Sequence, residues 1–454
     1  MTFDCVIRGA QVVRSIGVER LDIGIEGGRV AELLSEIPGS ARETIDGRGL
    51  HVFPGVVDAH VHFNDPGRDS WEGVPTGSAA LVAGGGTCFI DMPLNSSPPT
   101  LDAASFDLKL AACRGRARAD FALWGGLTPD NLDHLEPLAE RGVVGFKAFL
   151  SASGIDDFRA CDDESLYRGM LIAARLGLPV AVHAENQGMT SALASLARAG
   201  GRTTVRDYLD SRPIAAEVEA ISRALMFATE TGCALHVVHT SSVRGVRIIR
   251  QAVEAGRCDA TCETCPHYLV FSEEDVQRMG ARAKCAPPLR PESQRQQLVQ
   301  EVIEGRVDTI GSDHSPSPAS LKSKTDFFAA WGGISGAQAT LRALLTVDIP
   351  PRRIAELTAA NVARRFRLPG KGEIQVGGDA DLALVDLSMS SRIDEGELLD
   401  RHHLSPYVGR ELKGGVRRTM LRGRTVFLDG AVVDQPCGTF LRPVPAKPGA
   451  DAGR

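Results

Sequence analysis

The chain has 454 residues, of which 43% are hydrophobic and 24% are charged, and its formal net charge is -6. This length allows a large core and more than one domain. The slightly acidic balance gives no basic surface for nucleic acid, and the lack of an apolar run of about 18 to 20 residues excludes a membrane span.

The first residues contain no basic segment followed by an apolar one, so we expect no secretory signal. Several of the ten cysteines lie inside apolar runs. Such cysteines are typical of reduced thiols in the core of a cytoplasmic protein. We therefore expect a cytoplasmic protein that binds neither nucleic acid nor membrane.

The chain begins with short strand-like runs separated by glycines, at 4–10, 21–25 and 28–33. The C-terminal part repeats this pattern at 381–387 and 416–430. We expect the two ends to pair into one small β-sandwich domain.

The middle of the chain alternates short apolar runs with Ala- and Leu-rich helical stretches. Apolar strands separated by helices predict a parallel sheet that is buried on both faces. Eight such units favour an α/β fold with a (β/α)8 TIM-like barrel. A doubly wound open sheet is the alternative, but no phosphate-binding glycine loop follows an early strand. The strand candidates are 55–60, 87–91, 120–124, 145–149, 178–183, 234–239, 260–263 and 307–313.

These patterns predict the following domain boundaries. Residues 1–54 form the first part of the β-sandwich, 55–368 the barrel, and 369–442 the second part of the β-sandwich. The Pro-, Ala- and Gly-rich tail at 443–454 is expected to be disordered.

Potential metal ligands stand at or just after the ends of several strand candidates. In a (β/α)8 barrel these ends form the active face, so their side chains converge. His60 and His62 form the strongest pair, because the two-residue period of a strand places both rings on one face. The other candidates are Lys147, His183, His239 and Asp313.

Lys147 is unusual in this set, because an ammonium group has no lone pair for a metal. A buried lysine can lose its proton, and a neutral amine can react with carbon dioxide to give a carbamate. A surface salt bridge is the simpler interpretation. The apolar flanks of Lys147, at 143–150, argue against a surface position.

The set His-x-His, Lys, His, His, Asp resembles the amidohydrolase superfamily, and more narrowly its cyclic amidase branch of dihydroorotases, hydantoinases and allantoinases. The resemblance covers about residues 4 to 435. It implies two divalent metal ions bridged by an N-carboxylated Lys147, with His60, His62 and Asp313 on one metal and His183 and His239 on the other. The metal is Zn²⁺ by preference, with Co²⁺, Mn²⁺ and Fe²⁺ as alternatives.

The resemblance also implies a mechanism. A hydroxide that bridges the two metals attacks a ring carbonyl. Asp313 acts first as general base and then as general acid toward the leaving ring nitrogen. No organic cofactor is needed, and a homotetramer is implied.

The segment after His62 indicates which ring is opened. Dihydroorotases usually carry an arginine two residues after the second histidine, whereas this chain has Asn64, which suits an uncharged, urea-bearing ring. The run 64–68 and Trp71-Glu72-Gly73 are similar to the allantoinase pattern. Further segments with that similarity are 91–100, 285–290, 311–316 and 331–336.

The resulting hypothesis is hydrolysis of the hydantoin ring of (S)-allantoin to allantoate in purine catabolism. A hydantoinase or dihydropyrimidinase-like enzyme is the first alternative, although no tyrosine follows Lys147 in 151–154, where hydantoinases commonly have one. A non-enzymatic assembly protein of the same fold is the second. The expected substrate contacts are Asn64, Asn95, Cys285, Ser317 and Gly333.

Overall fold

The computed structural model of the chain describes residues 3–433 and 435–445. Within them, the strands are β1 (Phe3–Arg14), β2 (Gly17–Glu26), β3 (Arg29–Leu34), β4 (Ala41–Asp46), β5 (His51–Pro54), β6 (Val56–Val61), β7 (Gly86–Asp91), β8 (Asp120–Leu123), β9 (Gly125–Gly126), β10 (Phe146–Phe149), β11 (Val180–His183), β12 (Leu235–Val237), β13 (Ala260–Thr264), β14 (Thr309–Ile310), β15 (Leu382–Arg392), β16 (Glu411–Leu421), β17 (Arg424–Leu428) and β18 (Ala431–Val432).

The helices of the same residues lie mainly between the middle strands. They are α1 (Val74–Ala83), α2 (Ala103–Cys113), α3 (Leu135–Arg141), α4 (Asp163–Leu176), α5 (Gln187–Ala199), α6 (Val205–Asp210), α7 (Ile214–Thr231), α8 (Val243–Glu254), α9 (Pro266–Val270), α10 (Glu273–Met279), α11 (Glu292–Ile303), α12 (Ala319–Lys322), α13 (Thr340–Thr346), α14 (Pro351–Ala355) and α15 (Asn361–Arg365). None of the described helices is long and apolar enough to cross a bilayer.

Strands from both chain ends form one sheet, as the sequence predicts. Its order is β18-β17-β16-β15-β5-β1-β2-β3, and β4 also pairs with β1. The two ends join where β15 pairs antiparallel with β5. The inner face of this sheet buries an apolar cluster that includes Ile7, Val12, Ile23 and Leu384, and each such side chain contributes about 1.5–3 kcal/mol to folding. The boundaries at 54, 368 and 442 stay predictions.

The middle strands form the predicted parallel barrel. One ladder runs β6-β7-β8 and a second runs β9-β10-β11-β12-β13-β14. The ladders meet at the third barrel strand, where β8 leads directly into β9. Closure comes from a parallel bridge between Val61 and His314, which the His62 N–H reinforces by donating to the His314 carbonyl over 2.8 Å.

The helices pack on the outside of the barrel through stripes of apolar residues. In α8 the buried residues Val243, Val246, Ile249 and Ala252 recur every three residues, a spacing that gives an amphipathic helix. Ser242 caps its start by accepting from the Gly245 N–H. The helices therefore hold the strands so that all carboxyl ends open toward one mouth.

The predicted disordered tail lies mostly outside the described residues, which end at 445. Within the described part of this tail, the Val444 backbone N–H donates a hydrogen bond to the Arg367 carbonyl over 3.0 Å.

Candidate active site

His60 and His62 lie at the end of β6 with both rings on the barrel's inner side, 5.5 Å apart between centroids. Both are buried. The Nε2 atoms of His60 and His62 lie 3.2 and 3.4 Å from the same carboxylate oxygen, Oδ1 of Asp313. One ligand atom from each of the three residues fits within a span of 4.8 Å, the spacing of a candidate metal site.

His183 and His239 form a second pair beside the first. Nδ1 of His183 lies 3.1 Å from Nε2 of His239, and the rings of His60 and His239 are 5.3 Å apart between centroids. The four imidazoles therefore make one continuous cluster across β6, β11 and the end of β12.

Backbone conformation helps to aim this cluster. His239 and Asp313 have φ angles of 37° and 47°, in the left-handed region that side-chain-bearing residues seldom adopt. Such strain costs on the order of 1–3 kcal/mol and concentrates at functional sites. Each residue turns the chain sharply at the end of its strand, and this turn directs its side chain to the mouth.

Lys147 lies on β10 with no exposed surface. Its Nζ is buried and has no hydrogen-bond partner among the described residues; it faces the Phe149 ring at 5.1 Å. Burial lowers the pKa of Lys147 to about 8. This amine is therefore much closer to its neutral, nucleophilic form than a surface lysine is.

The ionisation states suit cation binding. Burial lowers the pKa of His60, His183 and His239, so these rings are neutral and keep a lone pair. Burial opposes ionisation of Asp313, but His60 and His62 outweigh it and hold the pKa of this carboxyl below its ordinary range. The cluster thus presents neutral nitrogens and one carboxylate.

A cleft of about 400 Å³ opens over these groups. Its lining includes Asn95, Cys285 and Gly333 among the expected substrate contacts. All five expected contacts are buried, but Asn64 and Ser317 are not part of the cleft lining. The amide atoms of Asn64 and the hydroxyl of Ser317 have no hydrogen-bond partner among the described residues. The structure therefore brings three of the five contacts to the cleft surface.

A profile of the Amidohydrolase family matches residues 51–426. The chain belongs to the amidohydrolase family. Within the family it is 56% identical over 446 residues to a protein named allantoinase from Rubrobacter xylanophilus, covering 97% of this chain and 98% of that protein. Allantoinases of Deinococcus radiodurans and Bacillus velezensis are 51% and 44% identical, each with 98% of this chain covered and with 99% and 98% of the relative covered.

Solved amidohydrolase structures show the same fold. The L-hydantoinase (dihydropyrimidinase) of Arthrobacter aurescens superposes with a TM-score of 0.93 at 35% identity, over 97% of this chain and 100% of that one. Dihydropyrimidinase from Brevibacillus agri gives 0.90 at 28% identity, over 98% and 99%. The predicted barrel with its β domain is confirmed.

Sequence reasoning missed two carboxylates of this amidohydrolase that hold the imidazoles. Glu263 on β13 lies 2.7 Å from Nδ1 of His60 and 3.3 Å from Nε2 of His236. Glu185 lies 3.0 Å from Nε2 of His183 and pairs with Arg212. Although burial opposes it, these neighbours lower the pKa of each glutamate to about 2. Strand alternation from Thr261 could have placed Glu263 on the inner side.

Proposed function

We propose that this amidohydrolase opens the hydantoin ring of allantoin to give allantoate, with two divalent cations held by the six clustered residues. The supporting observation is the convergence of four imidazoles and Asp313 at a single cleft, with the buried Lys147 acting electrostatically on His60, His183 and His239. Relatives named allantoinase align with almost the whole chain, which favours allantoin over other cyclic amides.

The chemistry of the donors fits two cations. His60, His62 and Asp313 would hold one and His183 and His239 the other, since neutral imidazole and carboxylate suit Zn²⁺, Co²⁺, Mn²⁺ and Fe²⁺. The unpartnered Nζ of Lys147 and Nδ1 of His239 are the orphaned buried atoms of the set. Carboxylation of Lys147 would convert a costly buried amine into an anionic oxygen ligand that bridges both positions.

The cations, when bound, supply Lewis acidity toward a ring carbonyl and lower the pKa of a shared water from ~15.7 toward neutrality. The chain's own residues do the rest. The Asp313 carboxylate accepts the proton of the attacking water and donates it to the ring nitrogen that leaves. The backbone around Cys285 and Gly333 orients the ring, and the buried walls of the cleft exclude bulk water.

The polar groups of the cleft favour a neutral, urea-bearing ring. Asn95 reaches the cleft lining and donates to Ser315 over 3.4 Å, and no arginine stands at position 64 to bind a substrate carboxylate. No tyrosine stands in 151–154, the stretch after Lys147 where hydantoinases commonly carry one. Ser151 in this stretch is buried, and its hydroxyl lacks a partner among the described residues. Zinc as the metal, a homotetramer and a cytoplasmic location complete the proposal.

A substrate panel on protein reconstituted with divalent metal and bicarbonate tests the assignment. We expect kcat/KM for allantoin to exceed that for 5-substituted hydantoins, dihydrouracil and dihydroorotate by at least about a hundredfold, because groups placed for a ureide are left unpaired by the other rings. Inert allantoin with rapid turnover of 5-substituted hydantoins would assign the protein to the hydantoinases instead. Failure to retain about one equivalent of metal would favour the assembly-protein alternative.

A further inference from the structure

One wall of the cleft is a loop, residues 327–333, whose shape does not come from regular secondary structure. Its residues 328–333 all line the cleft. In the described part of the chain it contains neither helix nor strand. Its conformation therefore depends on side chains that reach it from elsewhere.

Lys284 supplies the first of these side chains. Its Nζ donates to the carbonyls of Phe327 and Phe328 over 2.6 and 3.2 Å, and also to that of Ala330. The ammonium lies 4.5 Å above the ring of Tyr208, a favourable cation–π geometry. Three carbonyls of the loop are thus bound by one buried ammonium.

Lys322, in α12, supplies the second. Its Nζ donates to the carbonyl of Gly333 over 2.7 Å and to that of Ala281 over 3.2 Å. Neither Lys322 nor Lys284 forms an ion pair with a carboxylate in residues 3–433 or 435–445. An ammonium withdrawn from water without a carboxylate is costly, so the loop carbonyls, together with the Tyr208 ring beside Lys284, compensate for the lost hydration.

These two side chains converge on the backbone that faces the substrate. The Gly333 N–H donates to the Lys284 carbonyl over 2.7 Å, and the hydroxyl of Tyr208 donates to the carbonyl of Cys285 over 2.9 Å. Lys284 is the neighbour of Cys285 in the chain. The main chain at Cys285 and at Gly333 is therefore joined into one frame on one side of the cleft.

We propose that Lys284 and Lys322 are positioning residues that set this Cys285–Gly333 backbone frame for the substrate ring, an inference that rests on the proposed function. They act through the loop carbonyls that their Nζ atoms bind, and Lys284 also lines the cleft. Loss of either ammonium leaves several loop carbonyls without donors, and the frame relaxes while the imidazole cluster stays intact.

The electrostatic surroundings give this frame a dependence on pH. The charged groups that act on Lys284 are Arg212, Lys322, Asp326 and Arg198. Burial, followed by the charge of Arg212, lowers the pKa of Lys284 to about 7, and burial lowers that of Lys322 to about 8. Raising the pH from 6 to 9 therefore removes the positive charge and one of the three N–H donors from each side chain, so the neutral amine of Lys284 can no longer serve all three loop carbonyls.

The test compares Lys284→Met and Lys322→Met with a matched control, Lys324→Met, whose side chain is exposed on the same segment. Each protein is reconstituted with metal, and kcat, KM and bound metal are measured for allantoin from pH 6 to 9. We expect KM to rise about tenfold in both variants at pH 6, because hydrogen bonds to charged groups are lost, with metal content and kcat within about twofold of the parent. The ratio of variant KM to parent KM falls toward one as the pH rises, and Lys324→Met matches the parent.

Several outcomes would overturn the inference: unchanged KM in Lys322→Met, a fall in kcat or metal content in place of a rise in KM, or a KM ratio that does not vary with pH. If Lys284→Met does not fold, Lys322→Met decides the matter alone. If the parent protein does not hydrolyse allantoin, the proposed function fails, and the same comparison is made with the cyclic amide that the parent does hydrolyse.

Discussion

The carboxylate of Glu263 determines which nitrogen of His60 faces the cleft. As an acceptor 2.7 Å from Nδ1, it keeps the proton on that nitrogen and leaves the Nε2 lone pair directed toward Asp313. The same carboxylate lies 3.3 Å from Nε2 of His236, and it accepts a hydrogen bond from the backbone N–H of His239 over 3.3 Å. One buried glutamate thus orients ligands from two strands.

Glu263→Gln is expected to weaken metal affinity by about 10–100-fold, since an amide accepts less strongly and its NH₂ group can face the ring. Competition with a chelator measures the change. Glu301→Gln is the matched control, because Glu301 is also buried but lies on α11 and pairs with Arg247 of α8 and with Arg306, which follows α11. An equal loss of metal in both variants would refute the orienting role of Glu263.

At this scale the sequence indicates the ligand candidates well and the supporting residues poorly. His60, His62 and Asp313 were predictable because strand ends converge in a barrel. Glu263 was missed because strand alternation could place it on the inner side but could not show that His60 and His236 are its partners. A substrate contact at Asn64 stays a prediction; the structure buries this residue in the left-handed region, with a φ of 64°, just after His62 and outside the cleft lining.

At the scale of elements, the barrel strands are short and the site begins where they bend. The sequence predicts a strand at 307–313, whereas β14 is Thr309–Ile310. The chain leaves the ladder after Ile310, and its next three residues, Gly311-Ser312-Asp313, lead to the left-handed conformation of Asp313. A pattern of side chains predicts burial and does not predict such a turn.

Close packing of β14 against β6 and β13 makes Gly311 a sensitive position. A Cβ there would lie 2.8 Å from both Oε2 of Glu263 and Cβ of His60. We expect Gly311→Ala to push these side chains apart and lower metal affinity and allantoin turnover by about tenfold or more. Metal titration and steady-state assays measure this, with Gly200→Ala as control, where the nearest atoms are at 3.5 Å. Parent-like metal binding in Gly311→Ala would contradict the packing argument.

At the scale of the whole molecule, Lys371 joins the β domain to the barrel. Its buried ammonium lies 2.6, 2.9 and 2.7 Å from carboxylates of Asp120, Asp379 and Asp381. Asp120 begins β8 of the barrel, and Asp381 precedes β15 of the terminal sheet. These three aspartates have the spacing of a candidate metal site, but Lys371 already provides their cation.

Lys371→Met is expected to lower the free energy of unfolding by about 3–5 kcal/mol at pH 8, since it removes the ammonium shared by three closely spaced carboxylates and leaves Asp120 with Arg422 as its cation. Without Lys371, the pKa values of these carboxyls in the folded protein rise above their values in the unfolded chain, which are about 4. The variant therefore loses stability as the pH rises above about 4, and its free energy of unfolding differs less from the parent's at pH 5 than at pH 8. Urea unfolding at both pH values measures it. Lys413→Met removes an exposed pair with Asp348 and should cost under about 1 kcal/mol; a similar small loss in Lys371→Met would contradict this role.

The central claim is that Lys147 is carboxylated and bridges two cations within the imidazole cluster. Carbon NMR of protein reconstituted with metal and ¹³C-bicarbonate tests it most directly. We predict one carbamate resonance in the parent protein with about two equivalents of metal bound, and neither the resonance nor allantoin turnover in Lys147→Ala. A parent protein that is fully active without this resonance, or a Lys147→Ala variant with undiminished turnover, would contradict the account.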